Sequence, residues 1–284
     1  MTRERSSARS MKRILATLTA CGVIAGLIVA LIARFVIPYR PRVNHQAFVL
    51  PRNHAHLAGL RLAFVSDTHV GPAFTAGHLR AIVRELERER PDILLLGGDY
   101  VSQSPYFIDE IAPVIAQMTK TPRYGSWAVI GNHDVSNARS RVERMLADAG
   151  ATVLVNRAVP VETDRGMLWL VGIDDLLLGR PDPESAFAGV PADAASICLW
   201  HEPDAAEAVA GYGPFLMLSG HTHGGQVRLP GVGPLALPNA GKRFPSGRFA
   251  IGDMTLFVSN GIGLYRPPVR LGCPPELVMI HLVA

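Results

Sequence analysis

The sequence of 284 residues predicts an α/β domain that follows one membrane-spanning helix. Three observations support this fold class. An uncharged apolar run covers residues 14–33 near the N-terminus. Apolar strand-like runs then alternate with amphipathic helical segments from residue 60 to residue 150, which is typical of a mainly parallel sheet covered by helices. Polar residues gather where the predicted strands end, so a functional site is expected at one edge of the sheet.

Residues 14–37 are predicted to form an uncleaved transmembrane signal anchor. About 20 consecutive apolar residues suffice for a helix to cross the hydrocarbon core. The run is long for the apolar region of a secretory signal peptide, and no clear small-residue cleavage site follows it. The segment Leu18-Thr-Ala-Cys21 resembles a lipoprotein box, which leaves lipidation at Cys21 as an alternative, although the residues after Cys21 stay apolar.

Basic residues flank the predicted span unequally. Five of them precede it in a basic N-terminal tail, residues 1–13, and three follow it, namely Arg34, Arg40 and Arg42. Because cytoplasmic flanks carry the excess of Lys and Arg, we expect the N-terminus inside and the main domain outside. Residues 38–58 contain three prolines and are predicted to be a linker to the folded domain, residues 59–284.

Three strand–helix units open the predicted domain. Their strands are the short apolar runs 60–66, 93–96 and 127–130. The helical segments that follow show apolar residues at helical spacing: Leu79, Ile82, Val83 and Leu86, then Ile108, Ile111, Ile115 and Met118, then Val142, Met145, Leu146 and Ala149. Beyond residue 150 the pattern changes to short strands with fewer helices. These strands are predicted at 152–155, 159–163, 167–173, 196–200, 215–218, 254–259 and 276–282.

Composition limits the classes of partner. The net charge is +4 and the pI is ≈ 9.2, but much of the basic excess lies at the N-terminus. No run of Lys and Arg with interleaved aromatic residues occurs in the body of the chain, so no nucleic-acid partner is expected. The three cysteines, at 21, 198 and 273, are too few and too scattered for a disulfide framework or a CxxC zinc site. The sequence does not indicate an oligomeric state.

Five predicted strand ends each carry Asp, Asn or His. They are Asp67 and His69, Asp99, Asn132 with His133 and Asp134, His201, and finally His221 with His223. Loops at the carboxyl ends of strands in an open α/β sheet meet in one crevice. Any one of these residues is compatible with a turn or a helix cap, but turn chemistry does not explain all five strand ends together.

The chemistry of this set is that of a two-metal hydrolase. Imidazole and carboxylate ligands fit Mn, Fe or Zn, and the absence of thiolates argues against a structural zinc site. Two cations about 3.5–4 Å apart share a carboxylate, polarise a phosphoryl group and supply the nucleophile at neutral pH. A metal-dependent binding module without catalysis and a hydrolase of another bond, such as an amide, use similar ligands and are the alternatives.

The chain resembles the calcineurin-like metallophosphoesterases over about residues 60–284. The resemblance is carried by five motifs in the family's order: Asp67-Thr-His69, Gly98-Asp99, Gly131-Asn-His-Asp134, a lone His201, and Gly220-His-Thr-His223. Three further segments resemble a bacterial membrane-associated branch of that family: Val171-Gly-Ile-Asp-Asp175, His201-Glu-Pro-Asp204 and Gly272-Cys-Pro-Pro-Glu276. The five motifs are specific as a set, whereas each alone is not.

The resemblance implies a four-layer αββα sandwich with two divalent metal ions (Mn, Zn or Fe) at one edge. It implies the following metal ligands: Asp67, His69 and His223 for the first ion, Asp99 as the bridge, and Asn132, His201 and His221 for the second ion. It implies His133 as the catalytic residue that stabilises or protonates the leaving oxygen. Asp134 is expected either to orient the His133 ring or to cap a helix.

The implied activity is hydrolysis of a phosphodiester or pyrophosphate bond by attack of a metal-bound hydroxide. An outward-facing domain anchored in a bacterial inner membrane favours a lipid or cell-envelope substrate. With the domain on the cytoplasmic side, a UDP-2,3-diacylglucosamine-type pyrophosphate is the alternative substrate. Four basic residues are candidate partners of a substrate phosphate, although a solvated surface position is favoured for each: Lys242, Arg243, Arg266 and Arg270.

Overall fold

The computed structural model of the chain describes residues 2–102 and 104–284, with side chains from residue 11 onward. Helix α1 spans Thr2–Phe35, and a short 3₁₀ turn, Ile37–Tyr39, follows it. The segment Met11–Tyr39 is long and apolar enough to cross a membrane, in agreement with the predicted span. The predicted tail, residues 1–13, continues the same helix from Thr2, and its Met1 lies outside the described residues.

Within the described residues, the three predicted strand–helix units lie in one six-stranded sheet. Its strands are β1 (Arg42–Val49), β2 (Arg61–Val65), β3 (Ile93–Leu96), β4 (Ser126–Ala128), β5 (Ala151–Val153) and β14 (Glu276–Val283). Their order is β1-β14-β2-β3-β4-β5. Strands β2 to β5 pair in parallel, whereas β14 is antiparallel to β2 and parallel to β1. The helices on the outer face are α2 (Ala76–Glu89), α3 (Phe107–Met118) and α4 (Asn132–Asp148).

The second half of the described chain forms a second six-stranded sheet. Its strands are β6 (Arg157–Thr163), β7 (Gly166–Gly172), β8 (Ser196–Leu199), β9 (Leu216–Ser219), β12 (Gly247–Ile251) and β13 (Met254–Val258). Their order is β12-β13-β9-β8-β7-β6, with antiparallel pairs at both ends and parallel pairs between them. Two short helices, α5 (Pro183–Phe187) and α6 (Glu207–Ala210), pack on its outer face. A separate hairpin pairs β10 (Arg228–Leu229) with β11 (Gly233–Pro234).

The two sheets pack face to face, because successive residues of a strand point to opposite faces. On β2, Leu62 and Phe64 contact the second sheet, whereas Ala63 and Val65 pack against the helices. From the second sheet, residues such as Phe257 enter the same middle layer of apolar side chains. The predicted four-layer αββα sandwich is thereby confirmed.

Strand β1 corrects the predicted linker, residues 38–58. Residues 42–49 pair with β14 along its whole length, and Phe48 is buried with its ring edge-on to Phe257 at a centroid distance of 5.9 Å. The strand lies at the edge of the sheet and most of its residues are at least partly exposed. An edge strand of this kind needs no apolar alternation, so its sequence does not distinguish it from a linker. The edge strand β12 was also missed.

Replacing Phe48 tests the structural role of β1. Phe48→Ala is expected to lower the free energy of unfolding by about 3 kcal/mol, because it removes a buried aromatic ring from between the sheets. Chemical denaturation of the full chain in detergent measures this change. The neighbouring Val49 is 72% exposed, so Val49→Ala is the matched control, with an expected change within about 0.5 kcal/mol. Small, equal effects of both substitutions would restore the linker interpretation.

Candidate active site and metal centre

All the predicted site residues lie at one edge of the sandwich. Strands β2, β3 and β4 of the first sheet end there, as do β8 and β9 of the second, and the predicted residues follow directly after these ends. The seven predicted ligands and His133 are therefore close together in space. Most of them are buried, whereas Asn132 and His133, in the first turn of α4, are partly exposed.

The His and Asp side chains form two ligand clusters that meet at Asp99. The clusters are Asp67 with His69 and His223, and Asp99 with His201 and His221; a third group, His69 with Asp99 and His133, spans the two. Within each cluster the ligand atoms lie within 4.8 Å of one another. Asp99 Oδ2 is 3.3 Å from His69 Nε2 in the first cluster and 3.2 Å from His201 Nε2 in its own cluster. The carboxylate of Asp99 is thus placed between His69, which follows β2 of the first sheet, and His201, which follows β8 of the second.

The tautomer of His201 leaves a lone pair facing a carboxylate. Its Nδ1 is 2.7 Å from the carbonyl oxygen of Gly97, so Nδ1–H donates there and Nε2 of the neutral ring is unprotonated. That Nε2 points towards Asp99 and, among the described residues, is a buried nitrogen without a hydrogen-bond partner. An acceptor facing an acceptor is stable only with a cation between them, either a proton or a metal ion.

His221 repeats this arrangement with a different partner. Its Nε2 is 2.7 Å from the carbonyl oxygen of Asn239 and donates to it, which leaves the Nδ1 lone pair 3.0 Å from Asn132 Oδ1. Two acceptor atoms again face each other. The donor set at this edge, imidazole nitrogens with carboxylate and amide oxygens, therefore fits a divalent metal ion.

The pKa values reflect the same contacts. Burial alone would raise the pKa of Asp99, but the neighbouring His201 and His69 rings outweigh it and hold that pKa well below its usual range. Burial opposes protonation of His201, yet the Asp99 carboxylate raises its pKa well above the ordinary value. Burial lowers the pKa of both His223 and His133. The Asp99–His201 contact thus requires a positive charge, while His223 remains neutral and able to act as a ligand.

Five of the predicted ligands adopt left-handed backbone conformations. Their φ angles are 55° at Asp67, 42° at His69, 56° at Asp99, 69° at His221 and 50° at His223. Such angles are uncommon for residues other than glycine, and they concentrate at functional sites where the surrounding structure enforces them. The sharp turns after β2, β3 and β9 direct these side chains inward from three different loops.

Two glycines permit the carboxylates to approach the backbone. A Cβ at Gly131 would collide with the side chains of Asp99 and His201, and one at Gly220 would collide with Asp67. The space is used for hydrogen bonds: Asp99 Oδ1 accepts from the backbone N–H of His133, and Asp67 Oδ1 from that of His221, both at 2.9 Å. The glycines of the GNHD and GHxH motifs are therefore needed for close packing around the candidate ligands.

Asp134 caps helix α4 and does not orient the His133 ring. Its buried carboxylate accepts hydrogen bonds from the backbone N–H groups of Gly131 at 3.0 Å and of Asp99 and Tyr100 at 2.8 Å. Of its two expected roles, the hydrogen bonds support the cap. They also connect the loop after β3 to the start of α4, so Asp134 positions the backbone of Asp99.

Arg270 is neither on a solvated surface nor exposed to a substrate phosphate, and both expectations for it are wrong. Its side chain is fully buried. The guanidinium donates to the carbonyl oxygens of Asn260 at 2.9 Å, Gly261 at 3.2 Å and Gly263 at 2.7 Å. Its Nη2 also lies 3.4 Å from His223 Nδ1. Arg270 therefore holds the loop after β13 and positions His223; no sequence signal marks this role, since its partners are mostly backbone groups.

A cleft of ≈ 470 Å³ opens in front of the candidate ligands. Its outer wall is mostly apolar and includes Leu177, Leu237, Tyr265 and Pro267, together with Arg266. The ring of His133 lies 4.9 Å from that of Tyr265, measured between centroids. His133 therefore stands between the ligand clusters and the apolar wall, where it can contact a group bound in the cleft.

The fold and the clustered His and Asp residues define a metal-dependent phosphoester hydrolase, and comparisons with known proteins agree. Residues 60–225 match the calcineurin-like phosphoesterase family. The chain is 30% identical over 226 residues to the uncharacterized metallophosphoesterase YkuE of Bacillus subtilis (strain 168), covering 79% of each chain. It is 34% identical over 237 residues to phosphodiesterase YaeI of Escherichia coli (strain K12), covering 80% of this chain and 83% of the relative.

A vertebrate relative is named for the same combination of features. The transmembrane protein with metallophosphoesterase domain of Danio rerio is 33% identical over 242 residues, covering 80% of this chain and 54% of that protein. The chain therefore belongs to the calcineurin-like phosphoesterase family. The predicted resemblance and the predicted class of enzyme, a metal-dependent phosphoric ester hydrolase, are both confirmed.

Removing Asp134 tests its positioning role. Asp134→Ala is expected to lower the free energy of unfolding by about 3 kcal/mol, because three buried N–H groups lose their acceptor. It is also expected to weaken Mn²⁺ binding, because Asp99 is no longer held in place. Denaturation and calorimetric titration measure the two effects. Asp109→Ala is the control: Asp109 is exposed in an ion pair with Arg141, worth at most about 1 kcal/mol. Undiminished Mn²⁺ affinity in Asp134→Ala would contradict the positioning role.

Proposed function

We propose that the protein is a membrane-anchored phosphodiesterase or pyrophosphatase with two divalent metal ions. The observation that carries this proposal is the position of Asp99, whose carboxylate lies 3.3 Å from a histidine of one ligand cluster and 3.2 Å from a histidine of the other. A carboxylate in this place can be shared by two ions. Mn, Zn and Fe all suit ligands of this kind.

The proposed ligands follow from the two clusters. Asp67, His69 and His223 would hold the first ion, Asn132, His201 and His221 would hold the second, and Asp99 would be shared by both. When bound, the ions polarise the phosphoryl group and provide a nucleophile from water at neutral pH. The protein contributes the rigid placement of its ligands, since Asp134 and Arg270 position the Asp99 backbone and the His223 ring.

His133 is the proposed catalytic residue that is not a metal ligand. Its backbone N–H is committed to Asp99 Oδ1, which fixes the residue at the start of α4 while leaving its ring free to face the cleft. A ring nitrogen that carries a proton there can stabilise or protonate the leaving oxygen. General acid catalysis of this kind contributes typically about 10²–10⁴-fold to the rate.

The substrate we propose is a phosphodiester or pyrophosphate of a lipid or of the cell envelope. The lining of the cleft supports this class, because Leu177, Leu237 and Pro267 offer apolar contacts to a lipid group and Arg266 lies on the same wall. A membrane-spanning α1 would also keep the enzyme beside such substrates. The excess of basic residues before the span supports a domain on the outer side of a bacterial inner membrane.

Replacing His133 separates catalysis from metal binding. His133→Ala is expected to lower kcat for bis(p-nitrophenyl) phosphate by about 100-fold and to retain Mn²⁺ affinity, because its ring is not among the proposed ligands. Asp99→Ala is expected to lose both the activity and the Mn²⁺ affinity. The assay uses the full chain in detergent, with Mn²⁺ added back after chelation. His56 is exposed and precedes β2 at the opposite edge, so His56→Ala is the control with an unchanged rate. An unchanged kcat in His133→Ala would refute the catalytic role.

The side of the membrane is tested by reporters fused after Ala284. We expect an alkaline phosphatase fusion to be active and a green fluorescent protein fusion to be dark, because the excess of basic residues before α1 favours a cytoplasmic N-terminus. Expression in a bacterial host with both reporters measures the orientation. The reverse result would place the domain in the cytoplasm and would favour the UDP-2,3-diacylglucosamine-type substrate.

A further inference from the structure

We propose that the catalytic edge of the sandwich rests on the lipid surface through a docking hairpin, residues 228–235, which contains β10 and β11. The proposal rests on the membrane anchoring by α1 proposed above and extends it from the helix to the folded domain. The partner it assigns to this surface is the interface of a bilayer that contains anionic lipids. The cleft would then open directly at the membrane surface.

The chain enters the sandwich at the catalytic edge. β1 is the first strand after α1, and its first residue, Arg42, pairs with Glu276 at the start of β14. Because β14 is antiparallel to β2, its start lies beside the end of β2, where Asp67 follows. The backbone N–H of Glu276 donates to the carbonyl oxygen of Gly261 at 3.1 Å, and Gly261 packs against the Asp67 side chain. The end of α1 is therefore on the same side of the domain as the candidate ligands.

The end of α1 is also attached to the loops beside the cleft. The carbonyl oxygen of Ala33 accepts from the backbone N–H of Arg270 at 2.9 Å. Arg34 Nη1 donates to the hydroxyl of Tyr39 at 3.1 Å, and that hydroxyl donates to the carbonyl oxygen of Ala73 at 2.9 Å. These bonds join the helix to two loops and fix its position relative to the catalytic edge, which a flexible tether would not do.

The docking hairpin is held next to this attachment. The N–H of Arg228 donates to the carbonyl oxygen of Leu271 at 2.8 Å, one residue after Arg270. At the other end of the hairpin, the backbone N–H of Leu235 donates to the carbonyl oxygen of Val227 at 3.0 Å. The chain then continues through residues 236–239, which line the cleft. The hairpin thus lies between the end of α1 and the mouth of the active site.

Apolar side chains of the hairpin are exposed to solvent. Val232 is 71% exposed, Leu235 is 58% exposed and Leu229 is 37% exposed. Contiguous exposed apolar groups are unfavourable in water and mark contact surfaces. Tyr265, at the cleft wall, is likewise exposed, and tyrosine is enriched where proteins meet lipid headgroups. Continuity with α1 identifies the lipid interface, rather than a soluble partner, as what covers this surface.

The charges of this region favour anionic headgroups. Between Glu207 and Glu276 the sequence contains one acidic residue, Asp253. It lies in the turn between β12 and β13, at the strand ends that face away from the candidate ligands. Arg228 in the hairpin and Arg40 after α1 are basic residues near the proposed interface, and each basic residue near an anionic membrane surface contributes favourably to binding.

Tryptophan fluorescence tests the contact. Val232→Trp and Leu235→Trp are each placed in the full chain and reconstituted in vesicles of phosphatidylethanolamine and phosphatidylglycerol. Nitroxide-labelled lipids, with the label near the headgroup or near the terminal methyl, then report the depth. The control is Met167→Trp, since Met167 is exposed at the start of β7 on the opposite edge. The wild-type chain, with its three native tryptophans, gives the background.

The expected result is a blue shift and strong quenching by the headgroup-proximal nitroxide at positions 232 and 235, with little quenching at position 167. Emission at both hairpin positions that stays unquenched, or equal quenching at position 167, would overturn the inference. Flotation of the wild-type chain with the vesicles is measured in parallel. Failure to float would overturn the proposed anchoring and the inference with it, whereas flotation without quenching would overturn the inference alone.

Discussion

The contact between Asp99 of the first sheet and His201 of the second is the interaction on which the catalytic edge depends. Both side chains are buried, and a buried carboxylate is stable only when it is paired and hydrogen-bonded. Asp99 obtains its partners from both sheets, at 3.3 Å from His69 and 3.2 Å from His201. The apolar layer between the sheets holds the two sheets at the separation that this pairing requires. The geometry of the site therefore depends on the packing of the core.

The fold was predictable wherever strands are buried on both faces. β2, β3 and β4 are short apolar runs, each followed within a few residues by motif residues and a helix, and all three lie as expected. The edge strands β1 and β12 were missed, although the edge strands β5 and β6 were predicted; β1 carries Asn44, His45 and Gln46 in its middle and so lacks an apolar run. The partner of β1 is also at the far end of the chain, in β14, and pairing between such distant segments leaves no local signal in the sequence.

The candidate ligands could be predicted because their chemistry resides in their side chains, and every one of them reaches the same edge of the sandwich. The residues that position them could not. Asp134 acts by accepting from backbone N–H groups, and Arg270 acts by donating to backbone carbonyls. Every residue except proline offers these backbone groups, so nothing in the sequence marks the partners. The sequence alone does not distinguish a buried Arg from an exposed one, because the difference depends on the positions of the surrounding loops.

The left-handed backbone at five candidate ligands lowers the stability of the fold at the positions that form the site. Each such residue costs of order 1 kcal/mol, a cost that glycine largely avoids at the same angles. The ligands are therefore held in conformations that their own residue types disfavour. Glycine at Asp67 or Asp99 would relieve this strain but would also remove the acceptor of a buried backbone N–H group. At these turns the backbone favours glycine while the buried hydrogen bonds favour a carboxylate, so the residue type is a compromise between the two.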